Sequence, residues 1–359
     1  MAIYTKLEAK PAPSGSKGIA KWVKDNLFPS VTSSILTILS ILLLCYVLPP
    51  LLDWMIFDAT WSGTKEEITK DGARWIFIYE KFNQFIYGFY PEELYWRPNL
   101  ILALFVLSVV AFKKITDIKV RVAILILFPI IAFVLLYGGF GLQIVPTTKW
   151  GGLLLTIVVA AVGIVVSFPI GIIFALGRQS DMPIIKTISV IYIEFIRGVP
   201  LITLLFMASV ILPLFFPEDM SFDKLLRALI GITLFQAAYI AEVIRGGLQA
   251  IPKGQYEACD SIGLSYWQAM GLVILPQALK ISIPNIVGSF VALFKDTTLV
   301  LIIGLFDVLA MVTLTTTDPN WLGFSTEGYV FVTIIYWMIC FSMSKYAQSV
   351  ENRFNTDHK

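Results

Sequence analysis

Ionisable side chains are rare within the apolar stretches of this sequence, so each one found there is a candidate for chemistry. The adjacent pair Lys295-Asp296 lies inside an apolar run over 283–304, where insertion scales put the cost of each charge at about 2.5–3.5 kcal/mol. Two uses would offset that cost. The pair could face a polar pathway and sense a zwitterionic solute, or it could join a buried ion-pair network that fixes helix register. Neighbours on a helix point about 100° apart, so the two would need separate partners. Glu194 and Arg197 are three residues apart and so share a helical face, as do Glu242 and Arg245. Each couple fits a local gate or brace, or a plain structural salt bridge. Gln236 could hydrogen-bond a solute carboxylate or join two helices.

Other chemistry is excluded by what the sequence lacks. Its one histidine is His358, which removes Ser-His-Asp and Cys-His catalysis and histidine metal sites from the body of the chain. The spans hold no D-x-x-x-D pattern for a metal-dependent intramembrane enzyme. Cys45 and Cys340 lie in apolar runs and Cys259 in a polar loop, so no disulfide framework is visible. The Ser14–Gly18 stretch lacks the glycine spacing of a phosphate-binding loop and precedes no strand. The chain is therefore read as no enzyme and as holding no cofactor, and a net charge of +2 gives no reason to expect nucleic acid.

The elements that must position these groups are membrane helices. Of 359 residues, 57% are hydrophobic and 14% charged, against about 25% charged in soluble domains. Crossing a bilayer takes about 20 apolar residues. Eight runs qualify, at 31–52, 99–112 (extended by its flanks), 118–137, 152–176, 199–216, 227–245, 283–304 and 328–345. The first thirty residues are polar and basic, so the first run is expected to be an uncleaved anchor. Placing the N-terminus inside puts the larger share of lysine and arginine on the cytoplasmic side. Lys6, Lys10, Lys17, Lys21 and Lys24 fall there, as do Lys113, Lys114, Lys119 and Arg121, whereas Lys65, Lys70, Arg74, Lys81 and Arg97 fall outside. Both termini are then expected in the cytoplasm. The long outside segment 53–98 is rich in Trp and Tyr, including Trp54, Trp61, Trp75 and Tyr90. It reads as an aromatic belt at headgroup level. The Pro/Ser/Gly stretch 11–16 reads as disordered.

Between the sixth and seventh runs, the polar segment 249–276 carries strong local signals. Pro252 suits a first helical turn and Gly263 a left-handed helix end. Ser265 and Gln268 form an S-x-x-Q capping box that starts a second short helix. The loop is thus structured, either as a lid over the bundle or as something built to be gripped.

In this loop Glu257-Ala258-Cys259, Gly263 and Leu275-Pro276 fall at the spacing of the EAA loop of ABC importer permeases, which they resemble. Cys259 replaces the third alanine and Val273 an isoleucine; both are small or apolar. The resemblance implies a coupling helix seated in a groove of a separate ATPase. Glutamate would offer a charge-assisted contact, the small residues close approach, and glycine the corner. The likeness extends over residues 148–348 through Trp150-Gly151-Gly152, Arg178-Gln179-Ser180, Glu194 to Leu201, Tyr239 to Gly247 and Lys295 to Leu299. These stretches resemble permeases for polar amino acids, most of all the general L-amino-acid importers of proteobacteria.

That resemblance implies an all-α membrane protein of about eight transmembrane helices, the last five forming a type I (MetI-like) ABC importer permease core. The expected organisation is a cytoplasmic tail over 1–30, a three-helix extension over 31–147, a core over 148–348 with its coupling loop at 246–282, and a cytoplasmic tail over 349–359. The implied partners are ATPase subunits that carry ATP and Mg, a second permease (itself or a paralogue), a periplasmic amino-acid-binding protein and membrane lipid, all at a bacterial inner membrane. An ion-coupled secondary transporter would share the spans and the intramembrane charges, but it leaves the EAA-like loop unexplained.

Overall fold

The structure is a computed structural model that describes residues 18–62, 72–217 and 222–355. Lys6, Lys10, Lys17, Lys65, Lys70, His358, Lys359 and the 11–16 stretch lie outside the described residues. The described residues are almost wholly helical, with β pairing limited to isolated bridges. Contacts divide the chain into residues Met1–Ile76 and Phe77–Lys359.

In the first unit, helix α1 (Ile19–Leu27) precedes α2 (Val31–Leu52). Ser30 caps α2 by accepting the Ser33 amide on its hydroxyl at 3.1 Å, satisfying one of the open donors of the first turn. No residue of α2 is buried, as suits a helix whose solvent is lipid. Pro49 and Pro50 sit inside the helix, and a π-turn over Asp53–Phe57 follows. There the Trp75 indole donates to the Met55 carbonyl at 2.8 Å, and Trp54 and Trp61 pack on its ring.

The second unit begins with α3 (Ile76–Tyr87). The hairpin α4 (Trp96–Lys114) and α5 (Ile118–Tyr137) follows, and then α6 (Gly152–Gln179). Next come α7 (Pro183–Gly198), α8 (Leu201–Phe206) and α9 (Lys224–Gln249). The loop helices α10 (Lys253–Ser261) and α11 (Tyr266–Ala269) lead into α12 (Leu275–Asp296), α13 (Val308–Thr316) and α14 (Ser325–Asn355). Helix α9 is the centre: it packs on α6 and α12, and α12 packs in turn on α14. Small residues make that closeness possible. A Cβ on Gly247 would stand 2.1 Å from the Ser282 hydroxyl and 2.5 Å from the Ala278 carbonyl, so α9 and α12 touch backbone to backbone there.

The predicted spans recur with two changes. Among the described residues seven helices are long and apolar enough to cross a bilayer, and an eighth span exists if the bent pair Pro183–Gly198 and Leu201–Phe215 counts as one, its halves meeting at 105°. The run at 199–216 was expected as a simple span, but α8 passes through a π-turn (Met207–Ile211) and a tight 3-10 turn (Leu212–Phe215). Pro200 ends α7 and opens α8, because a residue before proline avoids the α region. The seventh span runs without a break from Tyr266 to Ile303, longer than expected.

The aromatic-belt reading of 53–98 holds only in part. Trp61 and Tyr79 are exposed, but Phe77 and Phe85 are fully buried, packed with Phe324 and Phe331 respectively. Tyr90 and Arg97 are also buried, with the Tyr90 hydroxyl donating to Leu136 and Arg97 donating to the Gln143 carbonyl. Amphipathic periodicity in α3 gives a packed inner face and an open outer one, so part of the segment belongs to the core. Its contacts fall with the helices that follow, on the later side of the division at 76/77.

Candidate functional site

Three places bear on function, and the first is the loop between α9 and α12. Helix α10 ends in a Schellman motif: the Leu264 amide donates to Cys259 at 3.1 Å and the Gly263 amide to Asp260 at 3.0 Å. Gly263 supplies the left-handed residue at φ +72°, which costs a side chain roughly 1–2 kcal/mol. Leu264 packs back near Cys259, the apolar contact that accompanies this motif. The Ser265/Gln268 capping box is present, with Gln268 accepting the Ser265 amide at 3.0 Å. Pro252 stands at the N-cap, one position before the first turn where it was expected.

The second short helix is not separate. It passes through a π-turn (Met270–Ile274) into α12, so Leu275 and Pro276 sit in the first turn of a span and belong to no free loop. The loop residues divide by direction. Glu257, Ala258 and Gly263 are exposed, as are Ile262, Tyr266, Trp267 and Leu272. Cys259 is 3% exposed and lies with Leu248, Met270, Ile274 and Ala278. It holds the loop to the bundle from below. Gln277 donates to Gln255 at 3.1 Å across the base, and burial pushes the Tyr256 phenol up. A rigid handle results, with an apolar root and a mixed exposed face.

The second place lies near the same end of the bundle, where α6, α7 and α9 meet. Arg245 donates twice to Glu242, at 2.9 and 2.6 Å, confirming that couple. Glu194 and Arg197 do not pair with each other. Glu194 lies 2.7 Å from Arg178 at the end of α6, and Arg197 lies 3.8 Å from Glu242 while resting over the Tyr239 ring. Arg178 also approaches Glu242 at 3.4 Å. Its buried Nη1 makes no aligned hydrogen bond, so its contacts are ionic. Shared helical face therefore gave the wrong partners: across three helices, nearer charges on other elements compete. Arg178 was the missing member, and its signal was a cation at the end of an apolar run.

The third place is further along α12. Lys295 and Asp296 close this α-helix, which tightens into a 3-10 turn over Thr297–Ile303. Among the described residues neither side chain forms a salt bridge or a hydrogen bond, so the expected ion-pair network is not found. Lys295 is exposed into an open cleft of about 470 Å³ whose walls mix the hydroxyls of Thr298, Tyr329, Thr333 and Tyr336 with the apolar Leu309, Val332 and Trp337. Gln236 is buried and donates to the Ser289 hydroxyl at 2.9 Å, joining α9 to α12.

Beside the cleft, sequence reasoning missed a buried polar knot. Asp307 caps α13 by accepting the Ala310 amide at 2.9 Å, and it also accepts the Tyr336 hydroxyl at 3.2 Å. Thr156 of α6 accepts the Val308 amide at 3.1 Å. Burial pushes the Asp307 carboxyl up, and the amides of Ala310 and Leu309 and the Tyr336 hydroxyl pull against it. An aspartate just before a short apolar run was the available signal. No cluster of metal-ligating side chains occurs among the described residues.

A multi-pass helical bundle with a capped handle at one end and, among the described residues, a cation without a salt bridge in an open cleft has the outline of a membrane transport component. Residues 167–356 match the binding-protein-dependent transport system inner membrane component family, and the chain belongs to that family. It is 55% identical over 352 residues to the inner membrane amino-acid ABC transporter permease protein YhdY of Escherichia coli, covering 97% of this chain and 96% of that one. It is 39% identical to the glutamate/glutamine/aspartate/asparagine transport system permease protein BztC of Rhodobacter capsulatus, covering 98% of both. Among solved structures it resembles an amino acid ABC transporter with histidines, at 29% identity and a TM-score of 0.50, over 56% of this chain and 92% of that chain. The protein is thus a multi-pass inner-membrane transport component and not an enzyme, and the ion-coupled reading has no support in these relatives.

Proposed function

We propose that this chain is the membrane permease subunit of an ABC importer for L-amino acids, polar or broad in range, with both termini in the cytoplasm. The single observation that carries the mechanism is the handle: α10, the Gly263 corner and the first turns toward α12 are capped at each joint and rooted by Cys259 and Ile274. A push on its exposed face is transmitted to a helix that runs unbroken to Ile303. Partner ATPase subunits, which hold ATP and Mg, supply the push by gripping Glu257, Ala258 and the apolar residues around Gly263. Leu275 and Pro276 carry it into the span.

When the ATPases close, the handles of two permeases, this chain with itself or with a paralogue, approach and the bundles rock between inward- and outward-open states. The network of Arg178, Glu194, Arg197, Glu242 and Arg245 ties α6, α7 and α9 so that they move as one. A periplasmic amino-acid-binding protein delivers the solute to the opposite face. On its way through, the solute carboxylate meets Lys295, whose ammonium makes no salt bridge among the described residues, and Asp296 beside it stands ready for the ammonium group of the solute. Gln236 acts as helix glue.

The test is uptake of labelled amino acids into proteoliposomes that contain the chain and its partners. Vanadate-sensitive uptake that requires ATP is expected; uptake driven by an ion gradient alone overturns the reading. Glu257→Lys should weaken co-purification of the ATPase, and an intact complex in that variant would remove the proposed contact.

A further inference from the structure

Helix α1 has two faces, and α2 covers the apolar one only in part: Val23 and Leu27 are half-buried, while Ile19 and Trp22 stand open. Ile19, Trp22, Val23 and Leu27 recur at helical spacing along one side, while Lys21, Lys24 and Asp25 occupy the other. Ile19 is 84% exposed and Trp22 58%. For a helix in water that face is a liability.

The depth of α1 is fixed by one hydrogen bond. The Thr37 hydroxyl donates to the Leu27 carbonyl at 2.6 Å, so the end of α1 lies level with a residue six positions into α2. At 1.5 Å per residue that is about 9 Å along α2 from its first residue. The intervening turn of α2, Thr32-Ser33-Ser34, is polar, and from Ile35 on the helix is mostly apolar, broken at first only by Thr37 and Ser40. Helix α1 therefore sits beside the boundary between the polar start of this span and its apolar body. That boundary is where an amphipathic helix lies in a membrane, its apolar face about 5–10 Å into the headgroup and acyl region.

We propose that α1 is an interfacial helix bound to an anionic phospholipid surface. Ile19 and Trp22 insert at the acyl boundary, and Lys21 and Lys24 engage lipid phosphates. Tryptophan suits this depth because its ring is apolar and its N–H needs a wet partner. Each lysine near an anionic surface adds attraction that fades within a Debye length and weakens with salt. The proposal does not depend on the handle or on ATP, so it stands or falls apart from the transport reading.

The experiment uses the full chain with Cys45, Cys259 and Cys340 replaced by serine, and one new cysteine from Trp22→Cys or Lys24→Cys carrying a nitroxide label. The chain is reconstituted in vesicles of phosphatidylcholine mixed with phosphatidylglycerol. The label at position 22 should be several-fold more accessible to oxygen than to a water-soluble nickel chelate, and the label at 24 should show the reverse. Raising the salt, or adding Lys21→Glu, should shift the label at 22 toward the chelate. Equal chelate access at both positions means the helix is off the membrane, and a label at 22 shielded from both reagents means protein covers it. Either result overturns the proposal. If a 22-position depth unchanged by salt is found in pure phosphatidylcholine as well, the lysine contribution is wrong.

Discussion

The charges at the handle end and the charge in the α12 cleft are treated in opposite ways. Where α6, α7 and α9 converge, two glutamates and three arginines satisfy one another within 2.6–3.8 Å. Along α12, Lys295 lines an open cleft of mixed hydroxyl-bearing and apolar side chains and makes no salt bridge among the described residues. A network satisfied internally holds helices together and asks nothing of a visitor. A lone charge left toward a cleft is costly unless something that comes and goes completes it. Under the proposed function the comparison sets residues that keep the bundle rigid against a residue that meets the solute, and it can be broken by measuring stability and uptake on both sides.

The largest loss of stability is expected from Glu242→Ala, which strands Arg197 and Arg245 and leaves Arg178 with Glu194 alone. Unpairing a buried charge costs about 3–5 kcal/mol, and partial exposure of this site lowers that to about 2–3. The melting temperature of the purified protein in detergent reads it, and an unchanged value would deny the network its bracing role. Gly247→Ala should follow at about 1–3 kcal/mol, because its Cβ meets α12 backbone that cannot retreat. The same melt checks it, and a neutral result would mean that α9 and α12 separate more easily than their contact suggests.

Gly263→Val comes next, at roughly 1–2 kcal/mol of local strain. Its sharper signature is functional: ATP hydrolysis by the assembled complex should continue while uptake fails, since the handle would bend where it must be stiff. Normal coupled uptake would argue that the corner is not part of the transmission. Lys295→Met should have the smallest effect on stability, within about 0.5 kcal/mol, as no partner is stranded. Uptake should nevertheless fall about tenfold or more, equivalent to about 1.4 kcal/mol. A variant that melts as before and transports as before would place Lys295 with the bystanders and erase the comparison.

Much of this was legible in the chain itself. The apolar runs set the span positions because hydrocarbon demands length and composition, and α2 occupies 31–52 as read. Gly263 and the Ser265/Gln268 box were legible because caps are local: each needs only a few neighbouring residues to form its hydrogen bonds. The partners of Glu194 and Arg197 were not legible, because a charge on one helix pairs with whatever the next helix brings near. The burial of Phe77, Phe85 and Tyr90 escaped notice for a related reason, since aromatics that look alike in sequence can rest at a headgroup layer or under a neighbouring helix. The bend between α7 and α8 was signalled by Pro200, yet its 105° angle depends on what each half packs against.

The order and type of the elements, the exclusion of catalysis and the corners of the handle are set by the sequence alone, through forces that act within a span or a turn. Which arginine answers which glutamate, which face of the handle is root and which is open, and which side chains surround Lys295 were decided only when the helices came together. Those outcomes depend on distances between residues far apart in the chain, and no spacing along it encodes them.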